Sequence, residues 1–385
     1  MEASDHAYSP NALIVDLAAI RHNTKEIRRV IGPDRFFFAA IKGNAYGHGL
    51  VEVARAVLES GADGLSMVHV SDAVILRDAG IIAPILLFGG NLGDPATLDS
   101  VERHDLIVTV VDAESIAFLA ANASRDVRVF LKIDVGLERL GCRPEDAVDL
   151  VRAIASAERL RLEGVYTHMN GDGLYGDGGA ESDLTRFVDW QFRKFTGVLE
   201  ELDSNGIEPP RTIAVSSPGL MMGDRMMLNG VDVGRLLFGL MPDIPAGVGL
   251  DLRPALRGLT SRLLQVKALD RTEFLPEAGF EVRPGMRIGV MPMGHGDGLD
   301  SVHAGEVLVR GRRAPLIGLF YEHARLDLTS IPEAAAGDEV VIIGRQAEAE
   351  ITLAEVVRHQ GLRASTGIAS LVRESVPRRH VDEER

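Results

Sequence analysis

The sequence predicts an α/β fold: a (β/α)8 TIM-type barrel followed by a C-terminal mostly-β domain. Three observations predict it. Over the first 240 residues, eight short apolar runs alternate with amphipathic segments. Past about residue 245, strand-like runs succeed one another with no long helix between them. A length of 385 residues accommodates one large domain and a smaller one. Strands that alternate with helices form a parallel sheet, and eight such units imply a closed barrel. The alternative is a doubly wound open sheet. No GxGxxG follows the first barrel strand, which weighs against the dinucleotide-binding form of that sheet.

Taken in order, Asp16 is placed to cap a helix whose apolar face includes Leu17, Ile20, Ile27 and Ile31, and Gly32-Pro33 ends it. The eight barrel strands are predicted at 36–42 (FFFAAIK), 63–69, 84–90, 106–112, 127–136, 162–170, 211–217 and 231–239. Helices are predicted between them at 50–61, 72–80 and 144–158. In the last of these, Ala147, Leu150, Val151, Ile154 and Ala155 follow a 3.6-residue period. Residues 256–345 read as successive strands separated by Gly, Pro and Asp, and one helix follows at 352–362. The expected domains are a barrel over 12–245 and a β domain over 246–385, joined by residues 1–11. The charged tail RRHVDEER is expected to fray.

Composition narrows the class. The formal net charge of -15 disfavours nucleic acid and anionic membrane as partners. A single cysteine, Cys142, excludes an intrachain disulfide and fits a reducing compartment, so a cytoplasmic location is expected. The N-terminal MEASDHAYSP has no apolar run of the secretory kind, and no apolar stretch approaches the ~20 residues of a membrane span.

Barrels of this kind build their sites at the C-terminal ends of the strands. Lys42 ends the first strand, Arg139 follows the fifth, His168 ends the sixth, Ser216 ends the seventh, and Asp232, Gly234 and Arg235 lie on the eighth. A lysine after the apolar FFFAAI is costly unless it snorkels to water or works as an amine of lowered pKa. Such an amine forms Schiff bases with aldehyde cofactors. Ser216-Ser217 and Gly234-Arg235 offer hydroxyls, N–H groups and a guanidinium where barrels often hold phosphate. A lysine opposite phosphate donors fits pyridoxal 5'-phosphate. For any one of these residues taken alone, a solvated loop position is the competing account. The Gly-rich stretch 169–182 is long enough for a lid over the site, or is a surface insertion. No metal is expected; His295 and Asp297 in one turn are too few ligands.

AAIKGNAYGHGL (39–50) resembles the cofactor-lysine motif of the alanine racemases, fold-type-III pyridoxal-phosphate enzymes. LKIDVGLERLG (131–141), VYTHMN (165–170), GVDVGRLLFGLMP (230–242), MPMGHGDGL (291–299) and VPRR (376–379) are similar to further segments of that family, so the resemblance spans nearly the whole chain. It implies that Lys42 carries the cofactor as an aldimine and is one of two racemisation bases. It implies that Tyr46, Ser216, Gly234 and Arg235 surround the phosphate, that Arg139 contacts the ring hydroxyl or substrate, and that His168 sits beside the ring. Lys132 matches a lysine that is carbamylated in some members. The family is homodimeric, with one subunit's β domain completing the other's site.

The departures are specific. The family places an arginine against the pyridine nitrogen; here the position is Asp232, which would keep that nitrogen protonated by charge pairing. This resembles the acid of the fold-type-III decarboxylases. The family's second base is a β-domain tyrosine, but 272–285 (TEFLPEAGFEVRPG) contains none. Its Gly-Tyr-Ala-Asp-Gly tyrosine becomes His295, its carboxylate-holding Cys-Met-Asp becomes about Phe320-Tyr321-Glu322, and its late phosphate tyrosine becomes about Thr366. Candidate replacement bases are Tyr321, His295, His323 and Glu277, with Tyr321 taken as the catalytic choice. The expected function is a pyridoxal-phosphate-dependent amino-acid racemase or epimerase acting on a small amino acid. The alternatives are another α-carbon reaction (decarboxylation, aldol cleavage or elimination) or a non-catalytic cofactor-binding protein.

Overall fold

The structure is a computed structural model and describes residues 9–89, 94–169, 181–241, 248–270, 272–275, 280–363 and 367–382. The chain divides into two compact units. One comprises Ala19–Ala45 and Gly49–Arg253. The other comprises the segment ending at Ala18, the short stretch Tyr46–His48, and the segment from Pro254 onward.

The first strand, β1 (Ala12–Asp16), belongs to the second unit, and the helix Leu17–Ile31 follows it directly. The eight barrel strands are β2 (Phe36–Ala40), β3 (Gly64–Met67), β4 (Ile85–Leu87), β5 (Ile107–Val110), β6 (Val127–Lys132), β7 (Leu160–Tyr166), β8 (Thr212–Val215) and β9 (Gly230–Val233). They pair in parallel in chain order, and β2 closes on β9, with Phe38 opposite Asp232. Each lies within two residues of its predicted start. The reason is that a parallel strand is covered on both faces and so reads as an unbroken apolar run; β3, β4 and β5 are buried at every position. Helices follow the strands, two of them started by carboxylates: Asp94 accepts from the Thr97 N–H, and Asp112 from the Ser115 N–H. The helix Ala147–Ser156 buries the predicted Ala147, Leu150, Val151 and Ile154, but Val148 rather than Ala155 completes the face.

Aromatic rings fill the barrel. Phe38 and Phe130 meet edge-to-face at 6.1 Å, Phe130 and Tyr166 at 6.0 Å, and all three are buried with Leu86, Ile107 and Ile213. Glycine makes this possible: a Cβ on Gly164 would stand 2.5 Å from the Phe130 ring and 2.4 Å from the Arg211 carbonyl oxygen. A large ring therefore sits over a residue with no side chain on the neighbouring strand.

The second unit continues with β10 (Leu256–Arg262), β11 (Gln265–Ala268), β12 (Glu273–Leu275), β13 (Phe280–Val282), β14 (Arg287–Met291), β15 (Glu306–Val309), β16 (Arg312–Leu319), β17 (Ala324–Asp327), β18 (Glu339–Gln346), β19 (Ala349–Ile351) and β20 (Arg378–Val381). Its main sheet runs β11-β14-β17-β16-β15-β18-β10-β1-β20, with β19 added to β18 and β12-β13 a separate two-stranded sheet. Two features differ from the sequence-based expectation. The units divide after Ala18 and Arg253 rather than at 12 and 245, because β1 is hydrogen-bonded between β10 and β20. The tail does not fray at 378–381: β20 pairs in parallel with β1, and the Arg378 guanidinium donates to the carbonyls of Gly47, Val372, Arg373 and Val376. Backbone acceptors thus turn a charged sequence into an edge strand.

His303 gives this unit a pH-sensitive point. Its Nδ1 accepts the Gly305 N–H at 2.9 Å, and its ring lies 5.1 Å from that of His359. Burial, then the neighbouring His359, holds His303 below its ordinary 6.5, against a smaller upward pull from Asp300. The unfolded chain therefore binds the proton more tightly. The stabilisation is complete above 6.5 and is lost as pH falls below it, by at most about 1.4 kcal/mol per pH unit. The urea midpoint should drop between neutral pH and about pH 5, and His303→Asn should flatten that dependence; an unchanged slope in the variant would refute the assignment.

Candidate active site

The polar groups gather where the barrel strands end. The Ile41 N–H makes the last rung of the β2–β3 ladder, to the Ser66 carbonyl at 3.0 Å, and Lys42 comes next. The chain then enters a left-handed turn, with φ of 61° at Gly43, 53° at Asn44, 54° at Ala45 and 52° at Tyr46. Non-glycine residues in this region cost roughly 1–2 kcal/mol each. Local hydrogen bonds hold the turn: Ala45 N–H to Ile41 O at 2.9 Å and Gly49 N–H to Asn44 O at 3.1 Å. The strain falls directly beside Lys42, where it fixes the direction in which the chain leaves the strand.

Lys42 is partly buried, its Nζ 5.6 Å from the centre of the Phe88 ring. Burial holds the amine below the usual lysine range, opposed by the Asp232 carboxylate and assisted by the Arg139 and Arg235 charges. Lys132, at the end of β6, is 5% exposed and 5.3 Å from the Tyr166 ring centre. Burial, then Arg139, push it down to about 8; Asp232 resists, while Lys42 also lowers it. Tyr166 is held in turn. The Thr109 hydroxyl donates to the Leu87 carbonyl at 2.7 Å, so the phenol donates to Thr109 Oγ1 at 2.9 Å. Burial raises the Tyr166 phenol above its ordinary range, which keeps it neutral.

Arg139 is set by Asp134. The Asp134 carboxylate accepts four backbone N–H groups: Gly136 and Leu137 at 2.8 Å and Glu138 at 3.2 Å on Oδ1, and Arg139 at 2.8 Å on Oδ2. Burial raises its pKa, but these donors, that of Arg139 foremost, leave it below the ordinary value. The loop is thereby wrapped around a half-buried anion, which holds the Arg139 backbone beside it. His168 lies two residues beyond β7. Burial, then the Arg139, Lys42, Lys132 and Arg235 charges, push its imidazole down to about 3, so it is neutral at physiological pH.

Two short helical turns begin after adjacent strands. Ser217–Met221 follows β8, and Arg235–Phe238 follows β9. The Gly234 N–H donates to Ser217 Oγ at 3.3 Å, which brings their starts together; Ser216 Oγ lies 3.5 Å from the Met169 carbonyl. Asp232, on β9, receives the Ser66 hydroxyl at 2.6 Å on Oδ1. Burial pushes its carboxyl up to about 6, against the downward pull of Ser66, Lys42 and Lys132.

Six of the predicted groups therefore act on one another: Lys42, Lys132, Arg139, His168, Asp232 and Arg235. Tyr46 and Tyr321 belong to the second unit. There, Tyr321 is 67% exposed, with its ring perpendicular to that of His295 at 5.2 Å, and the Arg325 guanidinium covers Phe320 at 4.8 Å. Thr366, Glu277 and most of the 169–182 loop lie outside the described residues. Ser66, Asp134 and the Tyr166–Thr109 pair were not singled out from sequence. Their only local signal is a polar residue inside an apolar strand, as in GLSM (64–67).

Comparison with known proteins identifies the family. Residues 15–242 match the model for the N-terminal domain of alanine racemase, and residues 257–380 match that for its C-terminal domain. The chain belongs to the alanine racemase family. It is 34% identical over 349 residues to the alanine racemase of Methanococcus maripaludis, covering 89% of this chain and 91% of the relative. It is 34% identical to that of Desulforamulus reducens, covering 90% and 92%. Among solved structures, alanine racemase from Bacillus anthracis with bound L-Ala-P superposes with a TM-score of 0.85 at 28% identity, covering 97% of this chain and 95% of that one. Alanine racemase from E. faecalis superposes with a TM-score of 0.84 at 28% identity, covering 99% and 100%. The barrel followed by a mostly-β domain is thus the alanine racemase fold. This member is an isomerase, an amino-acid racemase of the alanine-racemase type. Among its described residues no helix is long and apolar enough to cross a membrane.

Proposed function

We propose that this alanine racemase family member uses pyridoxal 5'-phosphate, held on Lys42, to interconvert the L and D forms of a small amino acid. The observation that supports this best is Lys42 itself: a partly buried amine of lowered pKa, placed among Asp232, Arg139 and Arg235 at one barrel end. The donor set fits the cofactor in each part. Ser216, Ser217 and the N–H groups of Gly234 and Arg235 suit a phosphate dianion, with Tyr46 and Thr366 assigned there on the family resemblance. Asp232 suits a basic ring nitrogen. Arg139 suits the ring hydroxyl or a substrate carboxylate.

When bound, pyridoxal 5'-phosphate supplies an aldehyde that condenses with amines and an electron-withdrawing ring that weakens the α-C–H bond. The protein's part is positional and acid–base. Lys42 Nζ would take or return the α-proton on one face; its lowered pKa keeps a larger fraction neutral and able to do so. His168, a neutral imidazole, would flank the ring and add no charge there. On the opposite face the proton is handled by Tyr321 of a partner subunit, in a homodimer with a shared active site. Asp232 favours a second reading, another α-carbon reaction, because an acid at the ring nitrogen strengthens electron withdrawal.

Incubation with single L-amino acids in heavy water tests both. We expect deuterium at the α-carbon of recovered substrate and accumulation of the D-enantiomer, for L-alanine or another small amino acid. Carbon dioxide or free aldehyde in place of the D-enantiomer would favour the second reading. No exchange with any amino acid would leave the protein a cofactor binder and refute the proposal.

A further inference from the structure

Ser66 is fully buried, at the third position of β3, yet it is polar. Its hydroxyl has one proton, and that proton is directed at Asp232 Oδ1, 2.6 Å away and 166 residues along the chain. The strand registers account for the meeting. β3 and β9 flank β2 on its two sides, with Ser66 opposite Ala40 and Asp232 opposite Phe38. Side chains from alternate strands of such a barrel share an interior layer, so the two reach each other across β2. Asp232 keeps its second oxygen. The charged groups that act on this carboxylate are Lys42 and Lys132, and the nearby Tyr166 phenol is neutral.

We propose that Ser66 is a positioning residue for Asp232: by donating to Oδ1 it holds the carboxylate ionised and turns Oδ2 toward the basic ring nitrogen of the cofactor, which is thereby kept protonated. This rests on the reading that pyridoxal 5'-phosphate occupies the barrel end. The physical argument is a competition for one proton between the carboxylate and the ring nitrogen. A hydrogen bond donated to the charged form of an acid favours that form, so the hydroxyl moves the shared proton toward the nitrogen. Burial works the other way, and without Ser66 it would move the proton back onto Asp232. Removing a hydrogen bond to a charged group is worth about one pKa unit or more.

The test is reconstitution with pyridoxal 5'-phosphate labelled with ¹⁵N in the ring. The nitrogen chemical shift is followed against pH in wild type, Ser66→Ala, Ser66→Thr and Asp232→Asn. In wild type the nitrogen should be protonated at neutral pH. In Ser66→Ala its deprotonation midpoint should fall by about one pH unit, a tenfold shift. Ser66→Thr, which keeps the hydroxyl, should restore it, and Asp232→Asn should leave the nitrogen unprotonated. A role in packing alone would not move this signal or be rescued by threonine. Bound cofactor with the same titration in wild type, Ser66→Ala and Asp232→Asn would overturn the inference and leave the cofactor reading standing. A wild type that shows no cofactor signal would overturn both. If Ser66→Ala fails to fold, Ser66→Cys, nearly the same size but a much weaker donor, takes its place: its midpoint should also fall, and a wild-type midpoint there would overturn the inference.

Discussion

Lys42→Ala is expected to lower turnover by roughly a thousandfold or more, since it removes the cofactor's attachment point and one acid–base group together. The near-visible absorbance of lysine-bound cofactor should disappear with it. The variant should remain folded, because Lys42 lies beyond the last rung of the β2–β3 ladder. Lys42→Arg separates charge from chemistry. It keeps a cation near Asp232 but offers no amine that can become neutral, so it should be as inactive as the alanine variant. Chiral analysis of alanine, or of whichever amino acid shows exchange, is the measurement. Activity within tenfold of wild type in either variant would mean that another amine does this work, and Lys132, pushed down to about 8, would be the next to examine.

The second large effect is on stability. Phe130→Ala should cost roughly 3–5 kcal/mol. Phe130 is fully buried, meets Phe38 and Tyr166 edge-to-face, and fills the space left by Gly164. Chemical denaturation followed by tryptophan fluorescence reads it, since the chain has one tryptophan, Trp190, on a barrel helix. Phe130→Leu keeps most of the volume and should cost about half as much or less. Equal midpoints for wild type and Phe130→Ala would mean that the ring is not part of the cooperative core. The same truncation should also loosen Tyr166, whose ring carries Lys132 on its face.

How far the sequence could be read follows from where each signal resides. The eight strands were legible because burial on both faces demands a local apolar run. The helix at 147–156 was legible because one buried face demands a local period, with Val148 in place of Ala155 as the only slip. The edge strand at 378–381 was not legible: its charged residues resemble a frayed tail, and only the acceptors on distant segments reveal otherwise. The assignment of β1 to the second unit was hidden for the same reason, since its partners lie more than 240 residues away.

The site divides along the same line. From the sequence alone came the barrel, the β domain after it, Lys42 at the first strand end, and the hydroxyls, glycine and arginine after the last two strands. Each of these is written in a continuous stretch of chain. The tertiary structure alone decided that Ser66 faces Asp232, that Thr109 holds Tyr166, and that Asp134 gathers four N–H groups beneath Arg139. It also decided which of these groups remain charged. A pKa depends on burial and on neighbours brought together by folding, so a carboxylate that burial pushes up to about 6 against the pull of two lysines has no counterpart in the order of the residues.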